Sequence, residues 1–119
     1  MNEVSLESLC EHTLTDVVLN DDQTELVFNT KNGAVFKMFH EQDCCERVRL
    51  EDICGDLEDL QNCTVLYAYE SSRTATADET PESGTWTFYN IGTTKGSVTL
   101  RWLGESNGYY GESVSFKEM

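Results

Sequence analysis

Hydrophobic and polar residues alternate along much of the chain with a period of two, which is typical of half-buried β-strands. Two short runs of this kind lie at residues 16–19 and 25–28, with turn-forming residues between them. The Asn-Gly pair at 32–33 supplies the positive φ that a tight hairpin turn needs, and 34–39 is predicted to return antiparallel. The pattern therefore predicts a three-stranded meander in the first third of the chain.

The last third of the chain carries the clearest alternation. Trp86 and Phe88 share one face of a predicted strand, and Val98, Leu100 and Trp102 share a face of the next. The turn-forming residues between these strands predict an antiparallel hairpin. Further strands are predicted at 47–50, at 63–69 and at 114–116, the last closing the sheet.

Two segments depart from this period and favour helices. In 4–14 the apolar residues are two to four positions apart, and a serine followed by a glutamate is suited to start a short N-terminal helix. In 52–60 the apolar residues lie on one face of a second, short helix. The predicted fold class is therefore α+β, mainly an antiparallel β-sheet with an N-terminal helix and one short helix.

The chain is expected to form a single domain. Its 119 residues are the usual size of one hydrophobic core, so residues 1–119 are assigned to one acidic globular domain. Residues 71–84 consist mostly of Ser, Thr, Ala and acidic residues with the single proline, and almost no apolar side chain. This composition predicts a mobile surface loop rather than a linker between domains.

The net charge of the chain restricts the classes of partner that it is expected to bind. The chain holds 22 acidic and 8 basic residues, which gives a formal net charge of −14. A surface of this sign repels phosphates, so direct binding to nucleic acid or to an anionic membrane is excluded. The same field attracts a basic groove of another protein and accelerates the encounter at low salt.

The predicted location is the cytoplasm. No apolar run approaches the roughly 20 residues needed to span a bilayer, and the first residues lack the basic and apolar regions of a secretion signal. The chain has five cysteines, an odd number. In a cytoplasmic protein they are expected to be reduced thiols rather than a disulfide framework.

One segment, residues 40–56, concentrates residue types that carry chemistry. His40 and Cys44 are four positions apart, and Cys45 and Cys54 are near enough in sequence to complete a tetrahedral zinc site. However, the paired knuckles of structural zinc sites are absent, and adjacent cysteines on an extended chain point to opposite faces. The acidic residues nearby lack the spacing of an EF-hand. We therefore expect no bound metal and no cofactor.

A cysteine-dependent reaction is an alternative interpretation of the same segment. His40 would act as the base, Asp43 or Glu41 would orient it, and Cys44 or Cys45 would be the nucleophile. None of the family-specific sequence patterns around a catalytic cysteine is present. The alternative function is thus a metal-binding or cysteine-dependent enzyme that uses the cluster from His40 to Cys54.

A second candidate segment is rich in glycine and tyrosine. Residues 104–111 lack the lysine and the following helix of a phosphate-binding loop. Tyr109 and Tyr110 instead provide the rigid contact area that is enriched at protein interfaces. The candidate binding residues of the two segments together are His40, Asp43, Cys44, Cys45, Glu105, Asn107, Tyr109 and Tyr110.

Three motifs carry a resemblance to known proteins. The sequences His-Glu-Gln-Asp-Cys-Cys-Glu at 40–46, Glu-Asp-Ile-Cys-Gly-Asp at 51–56 and Glu-Ser-Asn-Gly-Tyr-Tyr at 105–110 resemble a family of small uncharacterised phage and prophage proteins. The similarity extends over 14–116. It implies a viral setting, and no activity or site residue is implied by it.

This setting and the charge lead to a functional expectation. We expect a small acidic phage-type protein that binds a host protein and inhibits nucleic-acid-handling machinery by mimicking the charge of nucleic acid. A component of the virus particle is a further alternative. The sequence leaves the oligomeric state open.

Overall fold

The computed structural model describes residues 2–119, which form nine strands joined by turns and loops. Two single 3-10 turns, Leu6–Leu9 and Leu57–Leu60, are the only helical segments among the described residues. The strands are β1 (Asn2–Glu3), β2 (Thr13–Leu19), β3 (Glu25–Thr30), β4 (Val35–Phe39), β5 (Arg47–Cys54), β6 (Cys63–Thr74), β7 (Ser83–Thr93), β8 (Ser97–Ser106) and β9 (Ser115–Glu118). No helix within 2–119 has the length and apolar character needed to cross a membrane.

All neighbouring strands are antiparallel, in the order β1-β9-β4-β3-β2-β6-β7-β8-β5. The connection between β2 and β6 consists of only two residue pairs, Thr13 with Thr64 and Leu14 with Cys63. This narrow connection divides the sheet into a first leaf, β1-β9-β4-β3-β2, and a second leaf, β6-β7-β8-β5. The two leaves enclose one hydrophobic core between them.

The core is built by the alternation that the sequence displays. Trp102 of β8 is fully buried, and its indole N–H donates to Sδ of Met38 on β4 at 3.1 Å, which joins the two leaves. Each fully buried large side chain contributes about 1.5–3 kcal/mol to folding. The strand residues of this core are Leu14, Val17, Leu26, Phe28, Phe36, Met38, Val48, Leu50, Val65, Ala68, Tyr89, Ile91, Val98, Leu100, Trp102 and Phe116.

The outer face of the second leaf carries a different set of side chains. Trp86 and Phe88 are stacked with ring centroids 6.0 Å apart, as their predicted common face requires. Arg101 lies 5.0 Å and Arg73 5.7 Å from the centroid of the Trp86 ring. The predicted meander and the predicted hairpin are thus both confirmed, the hairpin as β7 and β8.

The predicted α+β class is wrong, because the described residues contain no α-helix. The segment predicted as an N-terminal helix forms only the turn Leu6–Leu9, whose two leucines are both buried. Glu11, at φ 72°, then redirects the chain into β2. A helix of this length is marginal by itself, so burial of two leucines and pairing of the following strand decide the conformation.

The second predicted helix fails for a related reason. Strand β5 continues through Cys54, because its register with β8 extends that far. Gly55, at φ +111°, ends the strand. The Asp56 side chain then accepts the backbone N–H of Glu58 at 3.4 Å and starts the single turn Leu57–Leu60.

The loop predicted at 71–84 is also largely wrong. Strand β6 continues to Thr74 and β7 begins at Ser83, so only 75–82 connects them. The connection is held by the bidentate pair of Arg73 with Glu79 and contains the buried Thr80. Polar residues form strands here because the ladder uses backbone hydrogen bonds, which need no apolar side chain.

Candidate functional site

Two loops that are distant in sequence meet at one end of the molecule. Residues 40–46 connect β4 to β5, and 107–114 connect β8 to β9. Strand β4 pairs with β9, and β5 pairs with β8. Both loops therefore join the same two pairs of strands, and they cross between the two leaves side by side. The two candidate segments of the sequence are therefore brought together by the sheet topology.

The centre of the first loop is Glu46, which is only 4% exposed. Its carboxylate accepts hydrogen bonds from Nε2 of His40 at 2.7 Å and from the backbone N–H groups of Asp43 at 2.8 Å and Cys44 at 2.9 Å. The His40 hydrogen bond, together with these backbone donors, lowers the pKa of Glu46 to about 2. Glu46 therefore folds the loop around an ionised carboxylate.

His40 connects the two loops. Its Nε2 contacts Glu46, and its Nδ1 lies 2.6 Å from the carbonyl oxygen of Ser113. Both ring nitrogens thus lie within hydrogen-bonding distance of oxygen atoms. The geometry gives His40 the role of a tie between loops, and its ring nitrogens are engaged by groups other than Cys44 and Cys45.

The cysteines differ from the expectation of reduced thiols. Cys44 and Cys45 are joined by a disulfide, whereas Cys10, Cys54 and Cys63 are free. The prediction was therefore wrong for two of the five cysteines. The chain bends at 44–45 instead of being extended, which removes the reason to expect the two side chains on opposite faces.

The second loop is built around Glu112. Its carboxylate accepts the hydroxyl of Thr85 at 2.8 Å and that of Ser106. Burial raises the pKa of Glu112, but hydrogen bonds from the hydroxyls of Ser106, Ser83 and Thr85 outweigh this effect and lower it. The loop lies directly on β8, where a Cβ added to Gly104 would be 2.3 Å from the carbonyl oxygen of Glu112.

A cleft of about 280 Å³ lies between the two loops and the β6–β7 connection. It gathers four of the candidate residues, Cys45, Glu105, Asn107 and Tyr110. The rest of its lining consists of Arg47, Pro81, Glu82, Ser83 and Ser106. The cleft is open and its lining combines polar and apolar surface, which suits it to contact with a peptide or side chain of a partner.

The other candidates lie around this cleft. His40 and Asp43 line a neighbouring cleft together with Gly111 and Ser113. Cys44 connects the two through its disulfide with Cys45. Tyr109 is 83% exposed and packs edge-on against Tyr110 with centroids 5.1 Å apart. All eight candidates thus belong to one end of the molecule.

Sequence reasoning missed several residues of this end. Glu46 and Glu112 are the two carboxylates that hold the loops, and their sequence gives no signal that sets them apart from the other acidic residues, 22 in all. Arg47 was missed as well. It lines the cleft, and within residues 2–119 it takes part in none of the ion pairs that engage Arg49, Arg73 and Arg101.

The metal hypothesis finds no support in this arrangement. Among the described residues, no three histidine, cysteine, aspartate or glutamate side chains come together in a way that holds a metal ion. Glu46, the buried carboxylate nearest to His40, is saturated by hydrogen-bond donors of its own loop.

Comparison with known proteins gives one match. The family model described as "Domain of unknown function (DUF7448)" matches residues 7–116. The matched region includes both loops and the cleft. No curated protein matches the chain. No solved structure matches it either.

Proposed function

The chain belongs to the DUF7448 family, and we propose that it is a binding module whose acidic surface engages a basic region of another protein. The resemblance of its motifs to phage and prophage proteins favours a host protein as that partner. The finer proposal is that the partner handles nucleic acid and that the acidic surface occupies its nucleic-acid groove.

The observation that carries this proposal is that most basic side chains are engaged in ion pairs within the chain itself. Within residues 2–119, five of the eight lysines and arginines form ion pairs with carboxylates of the same chain: Lys37, Arg49, Arg73, Arg101 and Lys117. The excess of acidic side chains, and with it the net charge of −14, is left for the solvent-exposed surface. A surface of this sign selects a cationic partner and increases the association rate.

The end of the molecule with the two loops presents exposed tyrosines of the kind that is common in protein interfaces. Tyr109 is among the most exposed large side chains, and its backbone N–H is bound by the Asn107 side chain at 2.9 Å. A tyrosine presented on a loop held by its own hydrogen bonds loses little conformational entropy on binding. Tyr109 and Tyr110 therefore serve as anchors beside the cleft.

The experiment is capture of host proteins on the immobilised full chain, followed by reconstitution with the purified partner. We expect saturable binding that weakens at least tenfold between about 50 and 300 mM salt. Tyr109→Ala combined with Tyr110→Ala weakens it further, whereas the control variant Val18→Ala, a half-exposed apolar residue of β2, leaves it unchanged. Binding that is insensitive to salt, or absent, would contradict the proposal.

A competition assay tests the nucleic-acid part. If the acidic surface occupies the groove of the partner, an excess of the partner's own DNA or RNA displaces the chain, and the chain displaces the nucleic acid in return. If the partner bound the chain and the nucleic acid at the same time, charge mimicry would be contradicted. The chain would then bind a basic surface of the partner outside the nucleic-acid groove.

A further inference from the structure

Strand β6 is paired on both sides only at its beginning. Its pairing with β2 ends at Thr64, and on the same side Val65 exchanges backbone hydrogen bonds with Glu11 and His12. Its pairing with β7 continues to Thr74. The register between β6 and β7 shifts after Val65. Within residues 2–119, no strand pairs with 66–74 on the side opposite β7. This side of β6 is called the open edge below.

The hydrogen-bond register tells which residues face the open edge. The N–H of Ala75 donates to the carbonyl of Gly84 at 2.9 Å, directly after the register pair Thr74 and Thr85. In an antiparallel ladder, residues alternate between those bonded to one neighbour and those facing the other side. The odd-numbered residues of β6 beyond its register shift therefore bond to β7, and the even-numbered ones face the open edge.

The backbone groups that face the open edge are those of Ala68, which is buried, and of Glu70, Ser72 and Thr74. The carbonyl of Thr74 accepts Nη1 of Arg73 at 3.3 Å. Within the described residues the N–H and C=O groups of Glu70 and Ser72 and the N–H of Thr74 have no protein partner on this side. Glu70, Ser72 and Thr74 are all exposed, which leaves their edge groups accessible to an added strand. The turn Leu6–Leu9 also contacts β6.

The two sides of the open edge have different chemistry. On the outer side, Tyr67 and Tyr69 are 46% and 52% exposed and stack with centroids 6.1 Å apart. On the inner side is Glu70, and burial together with the negative charges of Glu7 and Glu3 raises its pKa. One side thus favours apolar or β-branched neighbours, and the other favours cations.

We propose that the open edge of β6 receives an extended segment of a partner protein as a tenth strand, and that this segment alternates basic with apolar residues. The basic side chains lie beside Glu70, Glu7 and Glu3, and the apolar ones lie on Tyr67 and Tyr69. Addition of a strand to an exposed sheet edge is a common mode of peptide recognition. The inference rests on the proposed binding function and names the structural form of the partner.

A second copy of the chain is a poorer occupant. Pairing of two open edges would bring Glu3, Glu7 and Glu70 of both copies together, and each copy also carries a net charge of −14. Like charges directly opposite each other destabilise a strand pair. The charge of the edge therefore selects a basic strand over the chain's own.

The test uses a fluorescent, end-blocked peptide of alternating lysine and valine with the full chain. We expect saturable binding by fluorescence anisotropy and slower amide hydrogen exchange at Glu70, Ser72 and Thr74. Ser72→Pro removes one edge N–H and leaves the ladder to β7 intact, so binding weakens about tenfold. Ser72→Ala is the matched control, because it removes the same side chain and keeps the edge N–H. Glu70→Lys also weakens binding.

Three results would overturn the inference. The first is equal binding of a peptide methylated on every backbone nitrogen, a control that remains informative if Ser72→Pro fails to fold. The second is protection of amides away from β6. The third is protection of the edge at high protein concentration without peptide, which would make a second copy the occupant. If the peptide does not bind but a purified host partner does, the inference about the edge fails and the proposed function stands.

Discussion

At the residue scale, Glu46 determines the shape of the candidate site. It is an acidic residue in a chain full of them, but it is buried and accepts hydrogen bonds from one imidazole and two backbone N–H groups. A carboxylate with such donors stays ionised although it is buried. The position of the first loop, and of Asp43 and Cys44 within it, depends on this one side chain.

Replacement of Glu46 by glutamine tests this role. A carboxylate offers two acceptor oxygens, whereas the amide offers one and places an NH₂ group against at least one of the donors. We expect Glu46→Gln to lower the melting temperature by about 5–10 °C, as for a buried donor left without acceptor. The control is Glu51→Gln, because Glu51 is 40% exposed and pairs only with Arg49 at 2.8 Å. Equal effects of the two variants would contradict the assigned role.

The pKa of Glu46 gives a second prediction, on acid stability. Its folded-state pKa of about 2 lies below the ordinary value of 4.5, so its ionised form stabilises the fold. This contribution is complete above pH 4.5 and decreases as the pH falls towards about 2. The difference in melting temperature between the wild type and Glu46→Gln should therefore shrink over this window in thermal scans. A difference that stays constant would contradict it.

Two glycines allow a comparison of rigid and flexible neighbours. A Cβ at Gly104 would lie 2.3 Å from the carbonyl oxygen of Glu112, and one at Gly92 would lie 1.9 Å from the ring of Tyr67. The Glu112 carbonyl is backbone, whereas the Tyr67 ring is half-exposed and can rotate away. We expect Gly104→Ala to cost about 2–3 kcal/mol and Gly92→Ala about 1 kcal/mol in urea denaturation. In the double variant Gly92→Ala with Tyr67→Ala, the clash between the new Cβ and the tyrosine ring is removed. A larger loss of stability for Gly92→Ala alone than for Gly104→Ala would refute the argument.

At the scale of elements, turns specified by local chemistry were predictable. The Asn-Gly turn between β3 and β4 forms as expected, with Gly33 at φ +95°. We expect Gly33→Ala to cost about 1 kcal/mol, because an L-residue is strained at this φ even with open space around its Cβ. Gly111→Ala is the control, because a Cβ at Gly111 would also lie in open space and the φ of Gly111 is not positive. It should change the free energy of unfolding by less than about 0.5 kcal/mol.

Elements specified by pairing were not predictable from local pattern. The apolar spacing of 4–14 is compatible with a helix, but Leu6 and Leu9 are buried in a single turn and Thr13 begins a strand. The polar end of β6 has the composition of a loop, yet it pairs with β7 as far as Thr74. In both cases the deciding interaction is with a segment distant in sequence, which a local window does not contain.

The candidate site shows the same division. Both loops were identified from their residue types, and their meeting follows from the pairing of β4 with β9 and of β5 with β8. The chemistry within the loops was not predictable. The partner of His40 is Glu46 rather than a cysteine, and this choice depends on burial that sequence does not reveal.

At the scale of the whole molecule, the charge of −14 acts on stability as well as on partners. Repulsion among exposed carboxylates opposes the compact state, and salt screens this repulsion over about 10 Å at 0.1 M. We expect the melting temperature to rise between low salt and about 0.3 M sodium chloride. A fall would mean that the ion pairs, such as Arg101 with Asp52 at 3.0 Å, outweigh the repulsion.

The two tryptophans occupy different environments, and this makes the protein its own spectroscopic reporter. Trp102 is fully buried between the leaves against Met38, while Trp86, 7% exposed, is covered on the outer face by two guanidinium groups. Indole emission shifts to the blue in an apolar site. In single-tryptophan variants, emission from position 102 therefore follows separation of the leaves, and emission from position 86 follows events on the outer face of the second leaf, without any attached dye.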